Sequence, residues 1–402
     1  MRQPETQRGG MRIPRHPVTV VVGVLGVAVA LVCAPMAASA APGWTVQPTP
    51  NPPGVTQVNL NAVSCTSATT CTAVGISVGS SGPIVTLAEA WDGASWTTQA
   101  TPNPSKATGA VLNGVSCSSA TACTAVGNYS DSSGNTKTLA EAWDGSTWVI
   151  QHTPNPLATT NAVLSGVSCT SSTACTAVGH YTGSASIATL AEAWNGTKWV
   201  IQHTADPAGM SVVEFLGVSC ASGVACSAVG FSLDSSNHNV MLAEAWNGTK
   251  WVIQHTTTPL GTTSAVLRGV SCTANTACTA VGDSIGSSAF LTLAETWNGK
   301  KWVLQKTPNP AVTTIGSFLT SVSCASSTDC TAVGYNDAIP PGSVTVAEAW
   351  NGTKWVIQPT LNPPGAQQSY LNGVSCSSAT VCNAVGYANI GSGAQALSET
   401  HS

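Results

Sequence analysis

Short apolar runs separated by polar turns recur along this chain with a period close to 52 residues. One period reads AVLNGVSC (Ala110–Cys117), CTAVGNYS (Cys123–Ser130), TKTLAEAW (Thr136–Trp143) and TWVIQHT (Thr147–Thr153). Each run is rich in Val, Thr, Ile or aromatic residues and is bounded by Gly, Ser, Asn, Asp or Pro, which predicts a strand. The first cysteines of successive periods lie 52, 52, 51, 52, 52 and 52 residues apart. Four short strands in a repeat of this length are the pattern of a propeller blade.

The ends of the repeat region sharpen that expectation. The last repeat stops at AQALSETHS (Ala394–Ser402), which aligns with TLAEAW and lacks a fourth strand. GWTVQPTP (Gly43–Pro50) aligns with the missing strand. Pairing Gly43–Gln47 beside Gln395–Thr400 would complete the last blade and remove two open sheet edges. The sequence therefore predicts an all-β, seven-bladed β-propeller of four-stranded antiparallel blades, closed by its N-terminal strand.

Ahead of the repeats stand Arg2, Arg8, Arg12 and Arg15, an apolar run from Val18 to Ala34, and the small-residue site Ala38-Ser39-Ala40. Residues 1–40 read as a signal peptide and 41–402 as an extracellular mature chain, with Met11 an alternative start. A retained anchor would need a longer apolar run, and Val32 fits a lipobox at Cys33 poorly. Removal of residues 1–40 leaves 9 basic and 16 acidic residues, a net charge of −7. Such a surface argues against a nucleic-acid partner. With only 7% of the chain charged, Ser, Thr, Asn and backbone groups must solvate the surface, which suits a β protein.

The mature chain keeps 14 cysteines in pairs of one spacing: Cys65/Cys71, Cys117/Cys123, Cys169/Cys175, Cys220/Cys226, Cys272/Cys278, Cys324/Cys330 and Cys376/Cys382. An even count in an exported chain reads as disulfides. A metal site would need further ligands recurring with each pair, and a redox switch would favour Cys-x-x-Cys. Each pair is expected to staple a five-residue hairpin loop between the first and second strands.

A second device is AEAWDGSTWVIQ (Ala140–Gln151), repeated as AEAWNGTKWVIQ at Ala191, Ala243 and Ala347. Its Asp-Gly or Asn-Gly suits the positive φ of a tight hairpin, and the flanking Trp residues can meet across it. Trp44 has His401 in its partner position. Asn195, Asn247 and Asn351 match a glycosylation pattern but read more simply as turn residues. Each third strand carries a Glu, from Glu89 to Glu399, and each fourth strand a Gln, from Gln47 to Gln358. Sevenfold recurrence favours a structural acceptor, for a neighbouring Trp indole or a backbone N–H, over catalysis.

Strand direction sorts the loops into a uniform end, with the cysteine loops and Asx-Gly hairpins, and a variable end, as in GNYSDSSGNTK, GHYTGSASIA and GYNDAIPPGSV. Every Trp belongs to the first end, and every Tyr and Phe maps to the second. Tyr129, Tyr181, Phe231, Tyr335 and Tyr387 are expected after the second strand, Phe290 in the variable loop, and Phe215, Phe318 and Tyr370 before the first strand. Tyr129, Tyr181, Phe231, Phe290, Tyr335 and Tyr387 are the candidate ligand face, for a sugar ring or a peptide side chain. The competing reading is that they fill gaps between blades. His152, His203 and His255 read as surface residues.

The pattern V-S-C-x5-C-x-A-V-G followed by W-[DN]-G-x-x-W resembles exported repeat proteins of actinobacteria and, more distantly, propellers of the sialidase type. Asp144–Trp148 is similar to a shortened Asp-box. The resemblance implies the propeller fold. Sialidase activity does not follow, since that chemistry uses three arginines on the substrate carboxylate and residues 41–402 contain only Arg268. No catalytic constellation, metal-ligand spacing or cofactor motif is visible. The expectation is a monomeric, non-catalytic binding or surface-interaction module for carbohydrate or an extracellular protein, without cofactor and without membrane contact after signal cleavage. The alternatives are an extracellular propeller lyase or hydrolase and a purely structural wall component. Convergence of out-of-pattern acidic, His or Tyr groups on the mouth would favour the enzyme; the regions with such groups are Tyr335-Asn336-Asp337 and Asp234/His238.

Overall fold

The structure, a computed structural model, describes residues 43–157, 159–183, 186–286, 289–310, 314–338, 342–391 and 393–402. The expected signal segment 1–40 lies outside the described residues. Among those residues the chain is all-β, with 28 strands and no helix, so no helix is long and apolar enough to cross a membrane.

The second repeat forms strands Gly109–Ser119, Ala122–Ser130, Thr136–Trp143 and Trp148–Gln151, paired antiparallel in sequence order. The same four-stranded antiparallel arrangement recurs through the chain. Three sheets have four strands, and two have eight, in which two such runs meet at one parallel pair, Gln57↔Ala394 or Phe290↔Gly316. Among the described residues no sheet closes on itself. The N-terminal strand Trp44–Gln47 pairs antiparallel with the C-terminal strand Gly393–His401, in the register Trp44↔His401 to Gln47↔Ser398. The two rings of the first pair lie 5.5 Å apart.

Alternation along each strand gives every sheet two apolar faces, and the core lies between sheets. Leu112, Leu139 and Trp148 of the second repeat pack on Val74 and Ala88 of the first. One repeat later, Leu164, Leu190 and Trp199 pack on Val126 and Ala140. Buried Leu and Trp against Val and Ala bring sheets together at sizeable hydrophobic gain, about 25 cal/mol per Å² of apolar surface covered. Polar ties repeat with the same period. The backbone N–H of Cys117 donates to Ser64 Oγ at 2.9 Å, that of Cys169 to Ser116 Oγ at 2.9 Å, and that of Cys65 to Ser375 Oγ at 2.9 Å.

All seven cysteine pairs form disulfides, and their members face each other across the first hairpin, as in Cys169↔Cys175. The expected five-residue loop needs one correction: outside the last repeat the hairpin is tighter, and pairing resumes beyond the bridge, as at Ser171↔Ala174 with a bulge after Cys169, whereas in the last repeat it ends at Cys376↔Cys382. The bridges also reach into the core. The second cysteine of every pair is buried, namely Cys71, Cys123, Cys175, Cys226, Cys278, Cys330 and Cys382, while the first is only half-buried. Cys71 packs in the cluster of Leu60, Leu87 and Trp96, Cys226 with Phe215 and Trp251, and Cys278 with Leu267 and Trp302. Cys330 lies against Leu319 and Trp355, and Cys382 against Trp44 and Leu371. The physical reason is position: the second cysteine opens a second strand, which has a sheet neighbour on either side, and cysteine packs as a small apolar residue. Each bridge is therefore part of the core between sheets as well as a loop closure.

Gly145 of the Asp-Gly hairpin has φ 95° and abuts the cysteine loop, since a Cβ there would lie 3.0 Å from the Thr121 side chain. The uniform loops therefore share one end. Asn195 is a turn residue, its Oδ1 accepting the backbone N–H of Thr197 and of Lys198.

The Trp pairs meet across the hairpins, at 5.7 Å for Trp143 and Trp148. The second Trp of a pair donates its indole N–H to the recurring Gln of the preceding repeat and never to the Glu, while Trp91, a first member, donates to the Ala68 carbonyl. Trp199 donates to Gln151 at 2.8 Å and Trp251 to Gln202 at 3.0 Å. Trp96 departs from this, donating to Ser398 Oγ.

Candidate functional site

The seven Glu residues are fully buried and face the Pro-containing link of the preceding repeat. Glu244 accepts the backbone N–H of Ala205, and Glu295 that of Thr257. For Glu89, Glu141, Glu192 and Glu348 the equivalent link positions are Pro50, Pro102, Pro154 and Pro308, which have no N–H, and both carboxyl oxygens are unpartnered. Burial pushes these four up to about 8 and Glu244 and Glu295 up to about 7, the donated N–H moderating the rise. These carboxyls have no access to a ligand and are part of the packing between sheets.

Two cavities lie near the first strands. One, of ≈ 230 Å³, is lined by Asn61-Ala62-Val63 and by its six counterparts, Arg268-Gly269-Val270 among them. Small residues let these strands approach closely: a Cβ on Gly114 would lie 3.0 Å from Gly166 Cα. At the first position of this triplet, Asn61 Nδ2 donates to the Leu112 carbonyl of the next repeat, and Asn113, Thr320 and Asn372 make the same bond. Ser165, Leu216 and Arg268, at the same position, make no such bond among the described residues. Arg268 Nε donates to the buried Asp283 within its own repeat.

One step toward the variable end lie the residues that follow each Ala-Val-Gly. Tyr335 and Tyr387 occupy this position, as do Phe231, Asp283 and His180. Tyr387 pairs across strands with Tyr370, and Tyr335 with Phe318. Their rings form a continuous ladder: Phe290–Phe318 at 4.9 Å, Phe318–Tyr335 at 4.9 Å, Tyr335–Tyr370 at 4.8 Å and Tyr370–Tyr387 at 4.9 Å. Burial raises the Tyr335 hydroxyl above its usual range, against the pull of Arg268. Beside Tyr387 opens the second cavity, of ≈ 510 Å³, lined by Gln57, Asn59, Gln368, Asn389 and Gly393 among others. Asn389 Nδ2 donates to Gln368 Oε1 at 2.8 Å.

The structure thus brings together Phe290, Tyr335 and Tyr387 of the six candidate aromatics and adds Phe318 and Tyr370. Tyr129 and Tyr181 are elsewhere, packed against the apolar clusters between sheets. They come one residue later after Ala-Val-Gly, so alternation turns them to the opposite face. That one-residue offset is legible in the sequence, but grouping the aromatics by loop and not by strand parity misses it. Phe231 is half-buried opposite Glu214, outside the ladder. The strands also run longer than expected. Phe290 opens a third strand, Phe290–Trp297, and Phe215 lies within a first strand and is fully buried against Trp251.

The out-of-pattern charges divide. His180 Nδ1 lies 3.5 Å from Glu214 Oε2, and Asp337 accepts from Ser343, whose hydroxyl also meets the Tyr370 hydroxyl at 2.8 Å. Asp234 and His238 form an exposed pair within one loop. Among the described residues no group of three or more His, Cys, Asp or Glu is placed to hold a metal ion. His152, His203 and His255 are exposed.

No protein-family profile matches the sequence, and no curated protein matches it. Solved structures do. A protein of unknown function from Dyadobacter fermentans aligns at TM-score 0.51 and 8% identity, over 89% of this chain and 97% of its own. The Trypanosoma rangeli sialidase in complex with sialic acid aligns at 0.49 and 10% identity, over 90% of this chain and 59% of that one. The SapL1 lectin in complex with alpha methyl fucoside aligns at 0.45 and 13%, over 77% and 98%. The present chain spans about three fifths of the sialidase. At these identities the likeness concerns fold alone, a β-propeller-like, all-β one; the disulfide bridges and four-stranded antiparallel sheets are observations on this chain itself.

Proposed function

We propose that the protein is a seven-bladed β-propeller, exported by way of residues 1–40, that binds carbohydrate without catalysis. Ring closure is supported by the Cys65 N–H to Ser375 Oγ bond, which repeats across the two chain ends the tie made between neighbouring repeats, and by Asn372, which reaches the Leu60 carbonyl as Asn61 reaches Leu112. Export is supported by the seven disulfides, which form and persist in oxidising compartments.

The observation that carries the binding reading is the ≈ 510 Å³ cavity, whose lining combines Gln57, Asn59, Gln368 and Asn389 with the ring of Tyr387 and contains no charged residue. Amide side chains both donate and accept, which matches the paired capacity of sugar hydroxyls. A half-buried Tyr ring offers an apolar face for the C–H side of a pyranose. Titration calorimetry of residues 41–402 against a panel of soluble neutral and acidic oligosaccharides tests the reading, with Tyr387→Ala and Asn389→Ala as variants and circular dichroism as the folding control. Binding by the parent and its loss in both folded variants is the expected result. Absence of binding to every saccharide, or binding unchanged in the variants, would overturn it.

A further inference from the structure

Among the described residues Arg268 is the one basic side chain near the aromatic ladder, and the fold does not require it there. At the same repeat position Asn61, Asn113, Thr320 and Asn372 tie their strand to the next through its Leu carbonyl. Arg268 makes no such tie. It is turned into its own repeat, where Nε donates to Asp283, a carboxylate only 3% exposed. Burial raises the acid and the guanidinium lowers it. A buried charge pair of this kind is weak evidence for stability. What it does is fix the orientation of the guanidinium.

That orientation leaves the two terminal amino groups of Arg268 without a protein partner among the described residues. The pair is anchored from within, through the buried acid, while the Arg268 side chain is 35% exposed. Tyr335 holds, one repeat on, the strand position of Asp283; its hydroxyl is raised by burial, lowered by Arg268 and raised by Asp337 and Asp283, and no hydrogen bond engages it among the described residues. A planar fork of N–H donors and a free phenol O–H from adjacent repeats form a set of donors for a carboxylate. Asp283 itself is spent on Nε, and Asp337 is engaged by the Ser343 hydroxyl. From Tyr335 the rings run through Tyr370, met edge-on at 4.8 Å, to Tyr387, stacked on Tyr370 at 4.9 Å, and so to the amide-lined cavity. Ring contacts thus lead from Tyr335, in the repeat after that of Arg268, to the cavity.

We propose that the ligand is an acidic oligosaccharide of the uronic-acid class, with one ring in the Tyr387 cavity and a carboxylate received by Arg268 and the Tyr335 hydroxyl. This rests on the carbohydrate reading above and narrows it: Tyr387 and the amides bind the sugar, and Arg268 selects for charge. The overall negative charge of the chain makes the selection local. An anionic polymer is not drawn by the general field of this protein and is held only where a donor fork meets its carboxylate.

The test uses oligouronates and their fully methyl-esterified forms, which share ring and linkage and differ in the carboxylate, titrated into residues 41–402. The parent is expected to bind the acid form about tenfold more tightly than the ester, with that margin falling as salt rises. In Arg268→Gln the margin is expected to vanish while ester binding persists. Because this variant leaves Asp283 buried and unpaired, Arg268→Gln/Asp283→Asn is measured beside it and is expected to behave alike. Tyr387→Ala should lose both ligands. Equal affinity of the parent for acid and ester, or a margin retained in the double variant, would overturn the role of Arg268 and leave carbohydrate binding standing. No binding of either form by the parent would overturn both.

Discussion

The backbone N–H of Ala205 donates to Oε2 of the buried Glu244 at 3.0 Å, whereas Pro154, in the same place one repeat earlier, offers Glu192 nothing. The link between repeats thus decides how much each buried carboxyl is disfavoured as an anion. Glu192 stands at about 8 and Glu244 at about 7, both raised from 4.5, first by desolvation. In the folded state these acids hold protons that the unfolded chain releases above pH 4.5. Stability from this source is therefore fully present below about 4.5 and is lost as pH rises through 7 to 8. The melting temperature is expected to be higher at about pH 5 than at about pH 8.5, and Glu192→Gln is expected to raise it at the higher pH and to flatten the slope. A melting temperature that climbs over that interval would contradict the assignment.

The Gln–Trp ties predict a position-dependent cost. Gln151→Ala strands the indole N–H of Trp199, which is 4% exposed, at about 1–3 kcal/mol. Gln47→Ala, at the same repeat position, removes no indole acceptor, because Trp96 uses Ser398, and is expected to cost less than about 0.5 kcal/mol. Urea midpoints of the two variants separate these outcomes; equal shifts would mean that the indole bonds carry no weight.

Each disulfide closes a six-residue separation, for which the chain-entropy relation gives about 2 kcal/mol. Because Cys175 is also buried, at 4% exposure, replacing Cys169 and Cys175 together by Ala should lower stability by at least that amount and leave the fold intact. Alkylation without reduction, read by mass spectrometry, should find no free thiol in residues 43–402. Two or more modified cysteines would defeat the seven-staple arrangement.

Two glycines give opposite expectations. A Cβ at Gly179 would fall 2.0 Å from the Val163 carbonyl oxygen on the paired strand, so Gly179→Ala must move backbone and should cost about 3 kcal/mol or more. Gly209, with φ 82°, has open space around its would-be Cβ, and Gly209→Ala carries only the backbone strain, about 1 kcal/mol. Thermal melts of both variants at one pH are the check.

Much of this organisation is legible in the sequence. Period-2 apolar runs bounded by Gly and Asx give the strands, equal cysteine spacing gives the bridges, and Asp-Gly or Asn-Gly gives the hairpins, because strand alternation, loop closure and positive φ are local demands met within a few residues. The partner strand of Trp44 also follows from aligning the two ends of the repeat region, and the structure pairs it with His401.

Contacts between repeats are not legible there. That the Trp199 indole would choose Gln151 over a Glu, and that Pro154 would orphan Glu192, depend on which faces two sheets press together. Spacing predicts the bridge between Cys376 and Cys382, yet only sheet packing sinks Cys382 beside Trp44 while Cys376 stays half-buried. The candidate site divides in the same way. The aromatic content of the variable end is written in the sequence, but the ladder from Phe290 to Tyr387 comes from cross-strand pairs, Phe318–Tyr335 and Tyr370–Tyr387, that meet where one sheet packs on the next at Tyr335–Tyr370. Tyr129 and Tyr181, one residue out of phase, pack against the clusters between sheets instead. Local sequence sets each strand and its parity; only the packing of one sheet on the next decides which side chains meet.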